Sequence, residues 1–375
     1  MPRGKGCRGF WYFGWTFGME SVKNQSLADT YNKLIFSGCL GSTGLKGGAT
    51  MQKLLLSVLI GCFCITPLTA FGAITIKLGV VTKPGSAQNI VAEKFKELME
   101  QRSDGEVTVK IYHSKSIGNE TEILQQIQMN TVQMGIVTVG PFDTFDPIVR
   151  VVNYPFLFKS NEQADEILDG PLGQEILTSL EKSSFKGLCF SENGFRNLTN
   201  NKRAVRVPDD VNGLKIRVMS SALHKTIWQT LGANPTPMPW PIYTELEQGV
   251  IDGQENPLWV MEVYKFYEIQ KYMTLTRHVY SAHIDVASLT WWKTLPPATQ
   301  AMIQEAICEA AKFQRRDNRD KNAARLQMLE AKGMTVEKTA DIDAFRQKVA
   351  QLQSDDIYSD PRVNDLLRRI LEATR

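Results

Sequence analysis

In the stretch "GLKIRVMSSALHKTIWQTLGANPTPMPW", Gly213 to Trp240, an arginine ends an apolar strand just before a helix begins. Leu214, Ile216 and Val218 alternate as one buried face, which places Lys215 and Arg217 on the other. Ser220 and Ser221 are cap residues for a helix running to about Leu231, closed by Gly232. A guanidinium at the carboxyl end of a strand, beside a helix N-terminus, stands where α/β proteins tend to bind anions. The same spacing also suits a surface arginine paired with a nearby carboxylate.

Little else is arranged for catalysis. The chain has no G-x-S-x-G, no H-E-x-x-H, no Walker loop and no dinucleotide glycine fingerprint. Its four histidines, His113, His224, His278 and His283, are scattered. His283 with Asp285 could ligate a metal, although a satisfied structural pair is the simpler reading. Cys189 and Cys308 sit among apolar neighbours, "FKGLCFS" and "IQEAICEAA", and read as two separate buried thiols rather than a disulfide or a nucleophile. These patterns lead to an expectation of a binding protein with no metal and no cofactor, and not an enzyme.

At 375 residues the chain is long enough for two domains of ordinary size. Its formal net charge is +3, from 43 Lys and Arg against 40 Asp and Glu. Seven of those bases and two of the acids precede Ile74, so the body beyond carries −2. A near-neutral body argues against nucleic acid as a partner. The segment 51–73, "MQKLLLSVLIGCFCITPLTAFGA", has one lysine, an apolar run and then small residues, the layout of a secretory signal peptide cleaved after Ala70 or Gly72. "LIGC" at Leu59–Cys62 also resembles a lipoprotein box, which leaves lipidation of Cys62 open. Residues 1–50 have no clear periodicity and read as an over-extended gene start ahead of Met51.

From Ile74 strands alternate with helices. "ITIKLGVVT", "VTVKIY" and "QMGIVTV" read as strands, with helices over "AQNIVAEKFKELMEQRSDG" and "GNETEILQQIQMN" between them. That order implies a parallel sheet with helices on its faces. "YTELEQGVIDGQEN" reads as a helix running into a turn. Residues 296–332 form one helical pattern, about 50 Å long at 1.5 Å per residue, which would lie across two domains. Its "RRDNRDK" run mixes signs and reads as a solvated face.

The segment Arg196–Leu258 carries a family resemblance. "GFRNLTNNKRAVRVPDDVNGLKIRV", then "LGANPTPMPW", then "YTELEQGVIDGQENPL" resembles the solute-binding proteins of tripartite ATP-independent periplasmic (TRAP) transporters, of the dicarboxylate-binding type. The match extends over about Ile74 to Gln353. It implies an α/β fold of two lobes joined by hinge segments, closing over one small organic anion, with a long helix bracing both lobes. The first lobe would hold 74–193 and about 283–322, the second 194–282 and about 323–375.

By motif position, the resemblance makes Arg217 the clamp on the substrate carboxylate and Arg196 a second cation or polar contact. Asn256 would bond the same carboxylate, and Trp240 would wall the pocket. Glu120 and Thr138 fall on first-lobe positions that touch the rest of the ligand, although a helix-start acid and a core hydroxyl would look the same. The sequence departs from the family in "PMPWPIYTEL", which lacks the usual acidic residue, and in the first loop, where Lys83 stands without a histidine or aromatic. The implied function is a periplasmic receptor, expected to be a monomer, that hands a small organic acid, a carboxylate or related sulfonate, to the small and large membrane subunits of a TRAP transporter. A ligand-sensing subunit of a signalling receptor and a periplasmic hydrolase are the alternatives.

Overall fold

The computed structural model describes residues 74–375. The expectations for the gene start and signal peptide, 1–50 and 51–73, lie outside the described residues. No helix among those described is long and apolar enough to cross a membrane.

β1 (Ile74–Gly79) leads into α1 (Ala87–Arg102), whose cap Ser86 accepts from the Asn89 N–H. The helix buries Val91, Phe95, Leu98 and Met99 at helical spacing. β2 (Val107–Tyr112) pairs parallel to β1. α2 (Glu120–Gln128) opens with a capping box between Asn119 and Glu122. Then come β3 (Met134–Thr138), α3 (Asn161–Asp169), α4 (Pro171–Ser179) and β4 (Phe185–Phe195). The second half runs through β5 (Asn197–Asn200), β6 (Lys215–Val218), α5 (Ala222–Leu231), β7 (Asn234–Pro237), α6 (Tyr243–Glu247) and β8 (Gly253–Asn256). It continues with α7 (Leu258–Val263), β9 (Tyr272–Thr274), β10 (Tyr280–Ser288), α8 (Leu289–Trp292) and α9 (Pro297–Ala331). β11 (Thr335–Glu337), α10 (Ile342–Val349) and α11 (Pro361–Ala373) complete the chain.

The strands form two sheets, ordered β2-β1-β3-β10-β4 and β11-β9-β5-β8-β6-β7. Each is the core of one α/β lobe. The chain passes between them at Arg196, which separates β4 from β5, and again between β9 and β10. β8 replaces the turn expected at the end of "VIDGQEN", because Gly253 lets β8 approach β5 closely; a Cβ there would collide with the Thr199 carbonyl oxygen.

The third link is α9, which packs on α1 and β4 of the first lobe and on α7 of the second. Its charge run is only partly a solvated face: Arg316, Asp320 and Lys321 are exposed, but other members turn inward. Arg315 and Asn318 are buried, Arg315 bonds Asp169 at 2.7 and 2.8 Å, and Arg319 reaches Asp165 and Glu192, each at 2.7 Å. Farther along, Arg325 bonds Glu262 of α7 at 2.7 Å. Partners supplied by α3, β4 and α7 draw these arginines inward.

Two further expectations are corrected. Cys189 of β4 and Cys308 of α9 form a disulfide, with Cα atoms 5.6 Å apart across 119 residues. Both cysteines are half-buried rather than enclosed by their apolar neighbours, and packing of α9 on β4 brings the sulfurs together. The tail also differs from its assignment to the second lobe. α11 buries Val363, Leu366, Leu367 and Ile370, packs on residues 147–153, and pairs Arg369 with Glu175 of α4 at 2.6 Å. Its apolar stripe finds its cover on the first lobe.

Candidate functional site

One cavity lies where the two lobes meet the crossing strands. It encloses about 400 Å³ of empty space, including its open mouth. Arg196, Arg217, Trp240, Asn256, Glu120 and Thr138 all line it. The fold therefore brings together six residues that the sequence scatters between positions 120 and 256.

β6 lies between β7 and β8, which puts Arg217 beside Thr236 and Gln254. The side chain is not in an open cleft, as alternation suggested, but 96% buried by residue (4% exposed). Its Nε and Nη2 donate to the Met238 carbonyl at 2.9 and 2.6 Å. The guanidinium carbon stands 5.7 Å from the Trp240 ring centre. No carboxylate among the described residues forms an ion pair with it. Burial, then the nearby Arg196 charge, pushes its pKa down to about 10, so it remains a cation at neutral pH.

Arg196 has a different situation. Its Nε and Nη2 hold both oxygens of Glu255, Nη2 lying 2.9 Å from Oε1, and neither side chain is exposed beyond 1%. His278 Nε2 lies 3.1 Å from Glu255 Oε2, and His224 Nδ1 lies 3.6 Å from Oε1. Burial alone would raise the Glu255 pKa, but Arg196 and His224 hold it well below the usual carboxylate range. Burial pushes His224 the other way, down from its ordinary value, against the pull of Glu255. Arg196 also lines the cavity, and its Nη1 takes no hydrogen-bond partner among the described residues. The motif "VIDGQENPL" contains Glu255, yet nothing in its spacing identifies this pairing.

The remaining walls combine fixed polar groups with apolar side chains, among them Val81, Met219, Trp240, Trp259 and Val260. Asn256 donates from Nδ2 to Gln254 Oε1 at 2.5 Å. Trp240 stands edge-on to Tyr264 with ring centres 4.6 Å apart. On the first lobe, Glu120 Oε1 accepts from the Thr138 N–H at 2.8 Å and from Gln88 Nε2 at 3.0 Å. Gln88 is itself oriented by Thr82, 2.8 Å from its Oε1. Gln88, Asn193 and His283 also line the cavity and were not foreseen as site residues. Gln88 carries no sequence signal, since it sits in the first turn of an ordinary amphipathic helix.

Contacts between lobes cover the cavity. The Lys83 N–H donates to Tyr264 Oη at 3.1 Å, and the Lys83 ammonium lies 4.7 Å from that ring's centre. On another side, Asp143 Oδ2 accepts from the Ala222 N–H at 3.1 Å, at the start of α5. Two lobes, a largely apolar cavity between them with a few polar groups, and an uncompensated buried cation describe a receptor for an anion.

Residues 78–359 match the DctP family, described as bacterial extracellular solute-binding protein, family 7. The chain belongs to this family. A solute-binding protein of Verminephrobacter eiseniae is 36% identical over 269 residues, covering 72% of this chain and 80% of its own. The 2,3-diketo-L-gulonate-binding periplasmic protein YiaO of Escherichia coli K12 is 31% identical over 306 residues, 81% of this chain and 93% of YiaO. Among solved structures, a TRAP periplasmic solute-binding protein from Polaromonas sp. JS666, bound to D-erythronate, superposes with a TM-score of 0.76. It is 32% identical and covers 80% of this chain and 98% of its own. This DctP-family chain is a TRAP-type solute receptor for a small organic acid, with the two-lobe α/β fold of that class.

Proposed function

We propose that the acid captured is a polyhydroxylated monocarboxylate, of the sugar-acid kind, whose carboxylate seats on Arg217. The observation that carries this reading is the buried guanidinium without an internal carboxylate partner. A planar fork of N–H donors suits a carboxylate, and in a water-poor cavity the paired bonds fix the ligand's orientation as well as its position. Asn256 and Arg196 Nη1 supply further donors to the same end, and Trp240 covers it.

The opposite end selects hydroxyls. Glu120 brings a negative charge to the first-lobe wall, and Gln88, Thr82 and Thr138 surround it with neutral polar groups. A second carboxylate there would meet Glu120 directly, whereas a hydroxyl would donate to it. The names of relatives such as YiaO and the D-erythronate-bound protein support the same class.

The receptor acts as a monomer without catalysis, after export directed by residues 51–73, and passes its ligand to the small and large membrane subunits of a TRAP transporter. Native mass spectrometry of the purified protein should detect a bound acid. Calorimetric titration should then rank aldonates and uronates above C4-dicarboxylates by about tenfold or more, the scale of an opposed buried charge. Tighter binding of succinate or malate than of every hydroxy monoacid would overturn the assignment of class.

A further inference from the structure

We propose that His283 is an additional ligand-contacting residue, and that the buried Ser191–Asp285 pair sets its tautomer so that Nε2–H points a donor at an oxygen of the bound acid. This rests on the reading of the cavity as the acid-binding site.

The sheet places the residues. In β10, His283 stands opposite Thr138 of β3 on one side and Ser191 of β4 on the other, so the three share one face. His283 lines the cavity although only 1% of it is exposed. No described residue hydrogen-bonds its Nε2. Its Nδ1 lies 3.5 Å from Ser191 Oγ, which in turn lies 2.8 Å from Asp285 Oδ1. The order is therefore cavity, imidazole, hydroxyl, carboxyl.

Asp285 determines which way the protons run. It is fully buried, and its Oδ2 has no partner among the described residues. An ionised carboxylate with a single hydrogen bond in such a place is costly, so the neutral acid is favoured. Burial raises its pKa to about 8, against the opposing pull of Ser191 and Arg315. The protonated carboxyl donates to Ser191 Oγ, which frees the serine proton for Nδ1 of His283. With Nδ1 accepting, the one proton of the neutral ring resides on Nε2. The ring stays neutral because burial, with Arg196, pushes its pKa down to about 3.

The other charged groups near this chain of bonds are already committed. Arg315 of α9 is held by Asp169 and the Phe190 carbonyl, and Arg196 by Glu255. Cys189, paired with Asp285 across β4 and β10, is in the disulfide and does not titrate. Glu120 and Arg217 occupy other walls of the cavity. When Asp285 ionises, Ser191 turns its proton back toward it, Nδ1 becomes the donor, and Nε2 presents a lone pair to the ligand. A favourable bond becomes a repulsion.

Nitrogen NMR of ¹⁵N-histidine-labelled, ligand-free protein tests the relay directly, with only four histidines to resolve. His283 should carry its proton on Nε2 at pH 7 and shift toward Nδ1–H above about pH 8, while Asp285→Asn should keep Nε2–H throughout, because its amide still donates to Ser191. A ring protonated at Nδ1 at pH 7, or a tautomer indifferent to pH, overturns the relay. The contact is tested by thermal-shift titration with a panel of C4–C6 aldonates and uronates. His283→Phe should weaken binding about tenfold or more, and His283→Gln, which retains a donor, should stay within about threefold of wild type. Equal stabilisation of wild type and His283→Phe overturns the contact while leaving the acid-binding reading intact. Failure of the whole panel to stabilise wild type removes both.

Discussion

Arg196 holds Glu255 through two guanidinium nitrogens in the protein interior, whereas Arg217, which lines the same cavity, has no carboxylate to hold among the described residues. The first pair is internally neutral and belongs to the fold. The second cation is available to a ligand.

The two arginines should therefore differ in what they do for stability. Arg196→Met leaves Glu255 buried and uncompensated, and should cost about 3–5 kcal/mol in urea unfolding of the ligand-free protein. Arg217→Met removes a cation that lacks a counter-charge and should change stability by less than about 1 kcal/mol. Similar losses for both would mean that Arg217 is structural.

The disulfide should contribute stability without touching the cavity. Cys189 and Cys308 close a loop of 119 residues, and their replacement together by serine should lower stability by about 2–5 kcal/mol. Ligand affinity should be unchanged within about twofold, since neither residue lines the cavity. Free thiols at both positions in the exported protein would contradict the bond.

Stability should peak near pH 6.5. Between that value and about 8, folded Asp285 holds a proton that the unfolded chain releases, so stability falls as pH rises, by about 1.4 kcal/mol per unit at most. Below 6.5 the unfolded chain gains protons at His283 and His224 that the folded protein refuses. Asp285 offsets one of these histidines, and the other makes stability fall as pH drops. Asp285→Asn should flatten the alkaline side of a denaturation-versus-pH curve. An unchanged slope in that variant would assign the titration to another group.

Local patterns made much of this legible. Alternation in "GLKIRV", the serine cap and Gly232 located β6 and α5, and with them Arg217 at the strand end. The proline-led apolar pattern gave the extent of α9. Contacts between distant segments were not legible. Glu255 lies 59 residues from Arg196, and the partners of Arg315 and Arg319 in α3 lie 146 and 154 residues away. The apolar neighbours of Cys189 and Cys308 pointed to burial, but both are half-buried, and neighbours in sequence cannot show what each sulfur faces. His283 and Asp285 read as a satisfied local pair, yet they share no hydrogen bond: Ser191, from another strand, stands between them, and Asp285 Oδ2 takes no partner among the described residues. A two-residue spacing also could not show that His283 faces the cavity. Periodicity fixes the faces of an element, while its partners depend on how the elements pack.

Arg217 is the central contact of the proposed site, and calorimetric titration of Arg217→Lys with the best-bound sugar acid tests its role most directly. Lysine keeps the charge but loses the fork, so binding should weaken by about 1.5–3 kcal/mol, on the order of ten- to a hundred-fold in Kd. The folded variant should melt close to wild type without ligand. Affinity equal to wild type in that well-folded variant would contradict the assignment of Arg217 as the carboxylate clamp.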